Sequence, residues 1–147
     1  MTRAPPCKGY SMSIENIRVL VADDHTITRN LVRSIVRSIG ISSITLAENG
    51  REAANAILAD EVDLAICDWN MPLLTGLEVL QLIRAEPRHK KLPFLMLTAE
   101  AYADSVVAAV QSGVSEYVVK PFTADILIAK VKGLVGEIND RYQLPDL

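Results

Sequence analysis

The sequence has few cysteines and no long apolar runs, and each shortage excludes a class of protein. Its two cysteines, Cys7 and Cys67, lie far apart, without the CxxC or Cys/His spacing of a metal site. A disulfide scaffold and a structural zinc site are therefore not expected, and the reducing cytoplasm is the expected location. Charged residues interrupt every apolar run well before the roughly 18 residues that a membrane helix needs. The N-terminal residues also lack the apolar segment of a secretory signal. We expect no membrane partner.

An excess of positive charge is missing as well. The 147-residue chain carries 15 Lys and Arg against 18 Asp and Glu, a formal net charge of −3. General nucleic-acid binders carry a basic excess that neutralises phosphates, so no nucleic-acid partner is expected. Apolar side chains are plentiful, since 50% of the residues are hydrophobic and 22% are charged. This composition suits the packed core of one ordinary domain and excludes disorder over the whole length.

Short apolar runs alternate with segments of helical spacing from Ile17 onward. The runs show little polar alternation, which is typical of strands covered by helices on both faces. They span residues 17–22, 43–47, 62–67, 94–98 and 116–120. The predicted helices span Thr26–Ile39, Glu52–Ala59, Leu73–Arg84, Tyr102–Ser112 and Thr123–Ile138. The alternation predicts an α/β fold, a doubly wound five-stranded parallel sheet with five helices.

The two ends of the chain differ from this regular part. Residues 1–14 lack periodicity and are interpreted as a flexible N-terminal tail, followed by one domain over residues 15–138. Residues 139–147 are interpreted as a short C-terminal tail. The first helix is expected to bury one face whose apolar residues are spaced four apart. These residues are Ile27, Leu31, Ile35 and Ile39.

Polar side chains stand at the ends of four of the apolar runs. Asp23 and Asp24 follow the first run and Asp68 follows the third. Thr98 ends the fourth run and Lys120 ends the fifth. The carboxyl ends of parallel strands share one edge of a sheet, and ligands bind in the crevice there. We therefore expect three carboxylates, a hydroxyl and an ammonium in one place.

This combination of groups indicates phosphoryl chemistry. Three neighbouring carboxylates repel one another unless positive charge compensates them. Mg²⁺ is suited to this task because it takes carboxylate, carbonyl and phosphate oxygens together with water. A lysine adds a second positive charge for a phosphoryl group. A metal ion, a lysine and a nucleophilic carboxylate favour phosphoryl transfer onto aspartate. No glycine-rich nucleotide motif is present, so a nucleotide cofactor is not expected.

Four motifs resemble a known family when they are taken together and in order. They are VADDH, CDWNMPLLTGLEVL, LTAEA and YVVKPFTA, and they resemble the receiver domain of two-component response regulators, above all its single-domain chemotaxis members. The resemblance covers roughly residues 17–136 and implies a flavodoxin-like strand order of 2-1-3-4-5. One departure is Thr75, where the family often has an acidic residue. It lies outside the reactive cluster, and we expect little effect.

The resemblance implies a metal site and a phosphoryl acceptor. Asp68 is the implied phospho-acceptor. Asp24 and Asp68 are the implied direct ligands of Mg²⁺, together with the carbonyl of Asn70. Asp23 is implied to act on the metal mainly through water.

The resemblance also implies how the phosphoryl group is held and sensed. Lys120 is implied to pair with the acceptor or its phosphate, and the Lys120–Pro121 bond is commonly cis in the family. Thr98 and the backbone amide of Ala99 are implied to bind the phosphoryl group. Tyr117 matches the aromatic residue that changes rotamer in the family's switch.

The implied function is a phosphorylation-controlled signalling module without an output domain. It is not an enzyme in the ordinary sense, because it catalyses only its own phosphorylation and dephosphorylation. The implied partners are a sensor histidine kinase or phosphotransfer protein and a downstream protein target. The target is expected to bind the face formed by residues 102–112, 116–120 and 123–138.

Two alternatives differ in class. The chain could be the receiver fragment of a larger regulator such as a transcription factor, although no helix-turn-helix region follows the fifth helix. A haloacid dehalogenase-type phosphohydrolase also phosphorylates an aspartate on an α/β sheet. That family needs a second aspartate two positions after the nucleophile, where this chain has Asn70.

Five further residues can be interpreted either as structural or as functional. Cys67 is interpreted as a buried strand residue rather than a redox sensor. His25 is interpreted as a helix-start residue, with the rim of the site as the alternative. His89 is interpreted as a solvated loop residue, and Trp69 as partly exposed at the mouth of the site. Tyr102 fits a surface residue and a partner contact equally well.

Overall fold

Five parallel strands form one sheet in the computed structural model, which describes residues 13–99 and 103–143. The strands are β1 (Arg18–Ala22), β2 (Ser43–Ala47), β3 (Leu64–Asp68), β4 (Phe94–Thr98) and β5 (Glu116–Val119). They lie in the order β2-β1-β3-β4-β5, and every neighbouring pair is parallel. The structure therefore confirms the predicted fold and strand order. The tail predicted for residues 1–14 falls almost entirely outside the described residues, as does Tyr102.

Five α-helices connect and cover the strands. They are α1 (Thr26–Ser38), α2 (Gly50–Leu58), α3 (Gly76–Arg84), α4 (Ala103–Gln111) and α5 (Ala124–Gln143). Short 3₁₀ segments span Ile14–Asn16 and Pro87–His89. Helix α5 ends at Gln143 rather than at Ile138, so it extends into the segment 139–147 that was predicted as a tail. Among the described residues, no helix is both long and apolar enough to cross a membrane.

The two faces of the sheet carry separate apolar cores. One core joins the sheet to α1 and α5, and it includes Val21, Ile66, Leu97, Val36 and Leu127. The other joins the sheet to α2 and α3, and it includes Leu20, Met96, Ile57, Leu80 and Ile83. All five residues of β3 and of β4 are buried, which accounts for their continuous apolar sequence. Full burial of one such side chain contributes about 1.5–3 kcal/mol.

The outer strand β2 is less buried than its apolar run suggested. Only Ala47 is buried in it, and Leu46 is 37% exposed. Strand β2 lies at the edge of the sheet with β1 as its single neighbour, so one side of it has no strand to cover it. The expectation of burial on both faces therefore holds for the central strands and fails for this edge strand.

The buried face of α1 also differs from the prediction. Ile27 and Leu31 are 85% and 50% exposed, whereas Val32, Ile35 and Val36 are buried. Each step of four residues advances about 40° beyond a full turn. Residues spaced strictly four apart therefore drift around the helix and do not stay on one face. The true face follows the three-and-four spacing of Val32, Ile35 and Val36.

Candidate functional site

Asp23 lies just beyond β1 and is completely buried. Its backbone N–H donates to the carbonyl of Ala47 at 3.1 Å, which continues the pairing of β1 with β2. Its carboxylate Oδ1 accepts a hydrogen bond of 2.9 Å from the backbone N–H of His25. Its own carbonyl accepts a buried hydrogen bond of 2.8 Å from Nη1 of Arg29 on α1. The first acidic residue is therefore held by both its backbone and its side chain.

The two residues after Asp23 form the exposed rim of the site. The Asp24 side chain is 33% exposed. His25 is the N-cap residue of α1, and its side chain makes no capping hydrogen bond. Its imidazole is 72% exposed, with Nδ1 lying 3.3 Å from Oδ1 of Asp24 and 3.5 Å from Oδ1 of Asp23. His25 is thus both a helix-start residue and a rim residue.

Asp68 is the last residue of β3 and is only 4% exposed. Directly after it, the backbone N–H of Trp69 donates to Leu97 of β4 at 2.8 Å. The carbonyl of Trp69 accepts from the N–H of Gly76, the first residue of α3, at 2.7 Å. A side chain at Gly76 would collide with the carbonyl oxygen of Asp68. Glycine is therefore needed where α3 begins against the end of β3.

Helix α3 begins with a complete capping box. The hydroxyl of Thr75 accepts from the N–H of Glu78 at 3.1 Å, and the Glu78 carboxylate accepts from the N–H of Thr75 at 3.0 Å. Such a pair satisfies two helix N–H groups that otherwise have no helical partner. Thr75, which stands where the family often has an acidic residue, therefore stabilises α3 next to the site.

Lys120 connects the two buried carboxylates. Its Nζ lies 3.0 Å from Oδ2 of Asp23 and 3.1 Å from Oδ1 of Asp68. Its backbone N–H donates to the carbonyl of Thr98 at 2.7 Å, which fixes the end of β5 against β4. The Lys120–Pro121 peptide bond is cis, as expected. One ammonium thus neutralises part of the charge of two carboxylates from different strands.

Burial and neighbouring charges shift the pKa values of Asp68 and Lys120. Burial raises the pKa of the Asp68 carboxyl above its ordinary value, and the neighbouring Asp23 and Asp24 carboxylates add to the rise. The hydrogen bond and charge of Lys120 oppose that rise without cancelling it. For Lys120, burial lowers the pKa, but its hydrogen bonds to Asp23 and Asp68 outweigh burial and raise the pKa overall. Lys120 therefore remains a cation in the site.

The remaining predicted residues lie around this cluster. Thr98 is the fully buried last residue of β4, and Ala99 follows it at the surface. Asn70 is exposed, two positions after Asp68. Tyr117 is half-buried on β5 and pairs with Met96 of β4. Because side chains alternate along a strand, Tyr117 and Thr98 lie on the same face of the sheet.

The donor atoms of the cluster fit a divalent cation. One ligand atom from each of Asp23, Asp24, His25 and Asp68 lies within 4.8 Å of the others. Among the described residues, three carboxylates lie around the one ammonium of Lys120, so negative charge is in excess. Hard oxygen donors with excess negative charge are what Mg²⁺ requires. The sequence expectation that these carboxylates meet at one edge is confirmed.

An apolar cleft lies beside Lys120, between α1 and the loop before α5. It has a volume of about 380 Å³ and is lined by Thr28, Leu31, Ala99, Lys120, Pro121 and Phe122. The exposed side chains of Ile27 and Leu31 extend this apolar surface along α1. The surface next to the site is thus largely apolar.

The structure adds a residue that sequence reasoning missed. Arg29 is 7% exposed, and it joins the Asp23 carbonyl on one side to Glu48, 3.5 Å away, on the other. The four-residue spacing predicted a different buried face for α1, so it did not predict that Arg29 is buried.

The structure tests the structural interpretations of His89 and Cys67. The reading of His89 as a solvated loop residue is wrong, since it is 2% exposed in the 3₁₀ segment that packs beneath α3. Its carbonyl accepts from Nη1 of Arg84 at 3.0 Å. Cys67 is fully buried, and burial strongly raises the pKa of its thiol, which disfavours a reactive thiolate. The reading of Cys67 as a strand residue is confirmed.

Comparison with known proteins agrees with this architecture. The response regulator receiver domain family matches residues 19–132. The chain is 37% identical over 123 residues to the chemotaxis protein CheY of Pseudomonas aeruginosa, which covers 84% of this chain and 99% of that protein. It is similar to the solved structure of the chemotaxis response regulator CheY4 of Vibrio cholerae, with a TM-score of 0.74 at 30% identity, covering 80% of this chain and 98% of that one.

A second solved structure was obtained with its metal. It is the receiver domain of a sensor histidine kinase from Pseudomonas aeruginosa PAO1, with a magnesium ion coordinated in the active site cleft. The similarity has a TM-score of 0.74 at 25% identity and covers 82% of this chain and 98% of that one. The fold, the acidic cluster and these matches lead to one conclusion: the chain belongs to the response regulator receiver domains of two-component signalling.

Proposed function

We propose that this chain is a single-domain response regulator that accepts a phosphoryl group on Asp68 in the presence of Mg²⁺. The observation that carries the proposal is the ammonium of Lys120, which contacts both Asp68 and Asp23 at the carboxyl edge of the sheet. It places a fixed positive charge next to a buried carboxylate, where the negative charge of a phosphoryl group would develop. Membership of the receiver family supports the same reaction.

The metal would be held by Asp24, Asp68 and the carbonyl of Asn70, with Asp23 acting through water. When bound, Mg²⁺ supplies positive charge to the phosphoryl oxygens. Oδ of Asp68 forms a bond to phosphorus while the bond from phosphorus to the donor breaks, and the leaving group keeps the electron pair. Lys120 favours the ionised, nucleophilic form of Asp68 against the effect of burial.

Two neighbouring groups would hold the transferred phosphoryl. Thr98 has a hydroxyl at the end of β4, and the exposed residue Ala99, which follows it, has a backbone amide. Charge-assisted hydrogen bonds from a hydroxyl and an amide are suited to phosphoryl oxygens. Asn70 is exposed two positions after the acceptor, and its polar side chain would help orient a water that later hydrolyses the acyl phosphate. We therefore include self-dephosphorylation, on a scale of seconds to minutes, in the proposal.

Labelling with acetyl phosphate tests the acceptor. The parent protein should be labelled only when Mg²⁺ is present, and Asp68→Asn should not be labelled. Asp60→Asn is a matched control, because Asp60 is exposed and its left-handed backbone (φ 62°) is well tolerated by asparagine. Stoichiometric labelling of Asp68→Asn would place the acceptor elsewhere.

The phosphoryl donor is proposed to be a sensor histidine kinase or a phosphotransfer protein, in the cytoplasm. A protein donor must reach Asp68 from outside, and the apolar surface of Ile27, Leu31 and the cleft beside Lys120 lies next to that route. Leu31→Glu should slow phosphotransfer from the cognate protein donor while labelling by acetyl phosphate stays unchanged. Leu82→Glu, on α3 at 44% exposure, is the matched control. Equal slowing with both kinds of donor would contradict a docking role for Leu31.

The downstream protein is proposed to bind the face of α4, β5 and α5, which spans residues 102–112, 116–120 and 123–138. Exposed apolar side chains lie on all three elements, namely Val107, Val110, Val119 and Ile126. Ala109 is the only buried residue among residues 104–111, so α4 is lightly packed there. A lightly packed helix beside Tyr117 suits a surface that changes with phosphorylation.

A further inference from the structure

We propose that His25 is a ligand for first-row transition-metal dications at the acidic cluster, and that it gives this site a nitrogen ligand that Mg²⁺ does not use. The inference deepens the proposed function, because it rests on a metal ion binding among Asp23, Asp24 and Asp68. It concerns which cation the site prefers when several are present.

The position of the imidazole carries the inference. Nδ1 of His25 lies 3.3 Å from Oδ1 of Asp24 and 3.5 Å from Oδ1 of Asp23. Two ligands on one octahedral ion are about 3 Å apart when adjacent and about 4.2 Å apart when opposite, given metal–ligand distances of about 2.1 Å. The four ligand atoms of the cluster all lie within 4.8 Å of one another. Small side-chain adjustments would therefore bring Nδ1 of His25 onto an ion held by Asp24 and Asp68, with Asp23 close enough to act through water.

The backbone holds the imidazole in this position. The N–H of His25 donates to Oδ1 of Asp23 at 2.9 Å, so the residue is tied to the carboxylate that its ring faces. Lys120 uses the other oxygen of Asp23, Oδ2, at 3.0 Å. The ammonium and the imidazole thus approach the cluster through different oxygens. The imidazole is 72% exposed, which leaves room for an ion to arrive from solvent.

Ligand chemistry predicts what His25 does there. Imidazole nitrogen is a common ligand of Ni²⁺, Co²⁺ and Zn²⁺, whereas Mg²⁺ prefers carboxylate, carbonyl and water oxygens. A nitrogen ligand at the rim should therefore strengthen the binding of Ni²⁺ or Co²⁺ and leave the binding of Mg²⁺ almost unchanged. An exposed helix-start position without a capping bond can carry such a ligand at little cost to folding.

Titration calorimetry with Ni²⁺ and with Mg²⁺ tests the inference on the full chain. We expect His25→Phe to weaken Ni²⁺ binding on the order of tenfold or more and to change Mg²⁺ affinity by less than about twofold. His89→Phe is the matched control, because it removes the other histidine of the sequence, and its Ni²⁺ affinity should be that of the parent. A thermal melt of each variant shows that it is folded.

The proton NMR spectrum of the Co²⁺ form provides a second readout. The parent should show a strongly shifted resonance from a non-exchanging imidazole ring C–H proton, and His25→Phe should lose it. Unchanged Ni²⁺ affinity in His25→Phe, or a Co²⁺ spectrum without that resonance in the parent, would overturn the inference.

Asp24→Ala separates this inference from the proposed function. It should weaken both Ni²⁺ and Mg²⁺ binding. If it weakens Ni²⁺ binding alone, His25 remains a ligand and the proposed magnesium site fails. If it weakens Mg²⁺ binding alone, the magnesium site stands and the nitrogen site is overturned.

Discussion

Lys120 donates a 3.0 Å hydrogen bond from Nζ to Oδ2 of Asp23, although the two residues are 97 positions apart in the chain. The same ammonium lies 3.1 Å from Oδ1 of Asp68. Each of these three residues stands at the end of a different parallel strand, so the sheet itself assembles the charges. The same strand pairing that stabilises the sheet therefore also holds these three charges together.

The first prediction concerns the stability of Asp68→Asn. The pKa of Asp68 is raised in the folded protein, chiefly by burial, so its ionised form disfavours folding at neutral pH. Replacement by neutral asparagine should raise the free energy of unfolding at pH 7 by about 0.5–2 kcal/mol. Urea unfolding of parent and variant measures this difference, and Asp60→Asn, at an exposed position, should show almost none.

The pH dependence of this difference has a definite sign. In the parent, a raised folded pKa means that the folded state holds the Asp68 proton over a range where the unfolded state has lost it. Stability contributed by this group is thus complete below the ordinary carboxyl pKa and falls as the pH rises to the raised value. The advantage of Asp68→Asn should therefore shrink toward acid pH. An advantage that grew on acidification would contradict the shift.

The second prediction compares two glycines. Gly76→Ala should destabilise the protein by about 1–3 kcal/mol, because the new methyl group would collide with the Asp68 carbonyl and lie 2.8 Å from Sδ of Met96. Gly133→Ala should instead stabilise it by about 0.5–1 kcal/mol, since Gly133 lies within α5 and, among the described residues, the added carbon would meet no atom within 4 Å beyond the neighbouring backbone of its own helix. Chemical unfolding measures both. A neutral effect of Gly76→Ala would show that α3 can move away from β3.

The sequence allowed the grouping of the strand-end residues to be predicted, but not the burial of the residues around them. The carboxyl ends of parallel strands share an edge, so Asp23, Asp68 and Lys120 could be placed together from the order of the runs alone. The burial of Arg29 could not be predicted from the sequence, because the rotation of α1 about its axis depends on how the neighbouring elements pack. His89 was missed for the same reason, since a charged local sequence conceals a side chain that tertiary packing buries.

The third prediction concerns the metal ligands. Asp24→Ala should weaken Mg²⁺ binding far more than Thr98→Ala, because Asp24 offers a carboxylate to the cluster and Thr98 has only a neutral hydroxyl. The fluorescence of the half-buried Trp69, next to Asp68 in the chain, should report the titration. Equal Mg²⁺ affinities in the two variants would contradict the assignment of ligands.

The fourth prediction concerns the switch. A phosphoryl group on Asp68 should draw the Thr98 hydroxyl toward it, and Tyr117, on the same face of the sheet, should then turn inward. Thr98→Ala should therefore still be phosphorylated but bind the downstream protein more weakly. A partner shifts such an equilibrium only through its different affinity for the two states. Equal binding of the partner to both forms of the parent would show that this face is not the switch.

The most direct test of Asp68 as the phospho-acceptor is chemical mapping of the modified residue. The parent protein is treated with acetyl phosphate and Mg²⁺, reduced with borohydride, digested and analysed by mass spectrometry. Reduction converts an aspartyl phosphate to homoserine, so the predicted result is homoserine at position 68 and unchanged aspartate at positions 23 and 24. Homoserine at position 23 or 24, with Asp68 intact, would contradict the central claim.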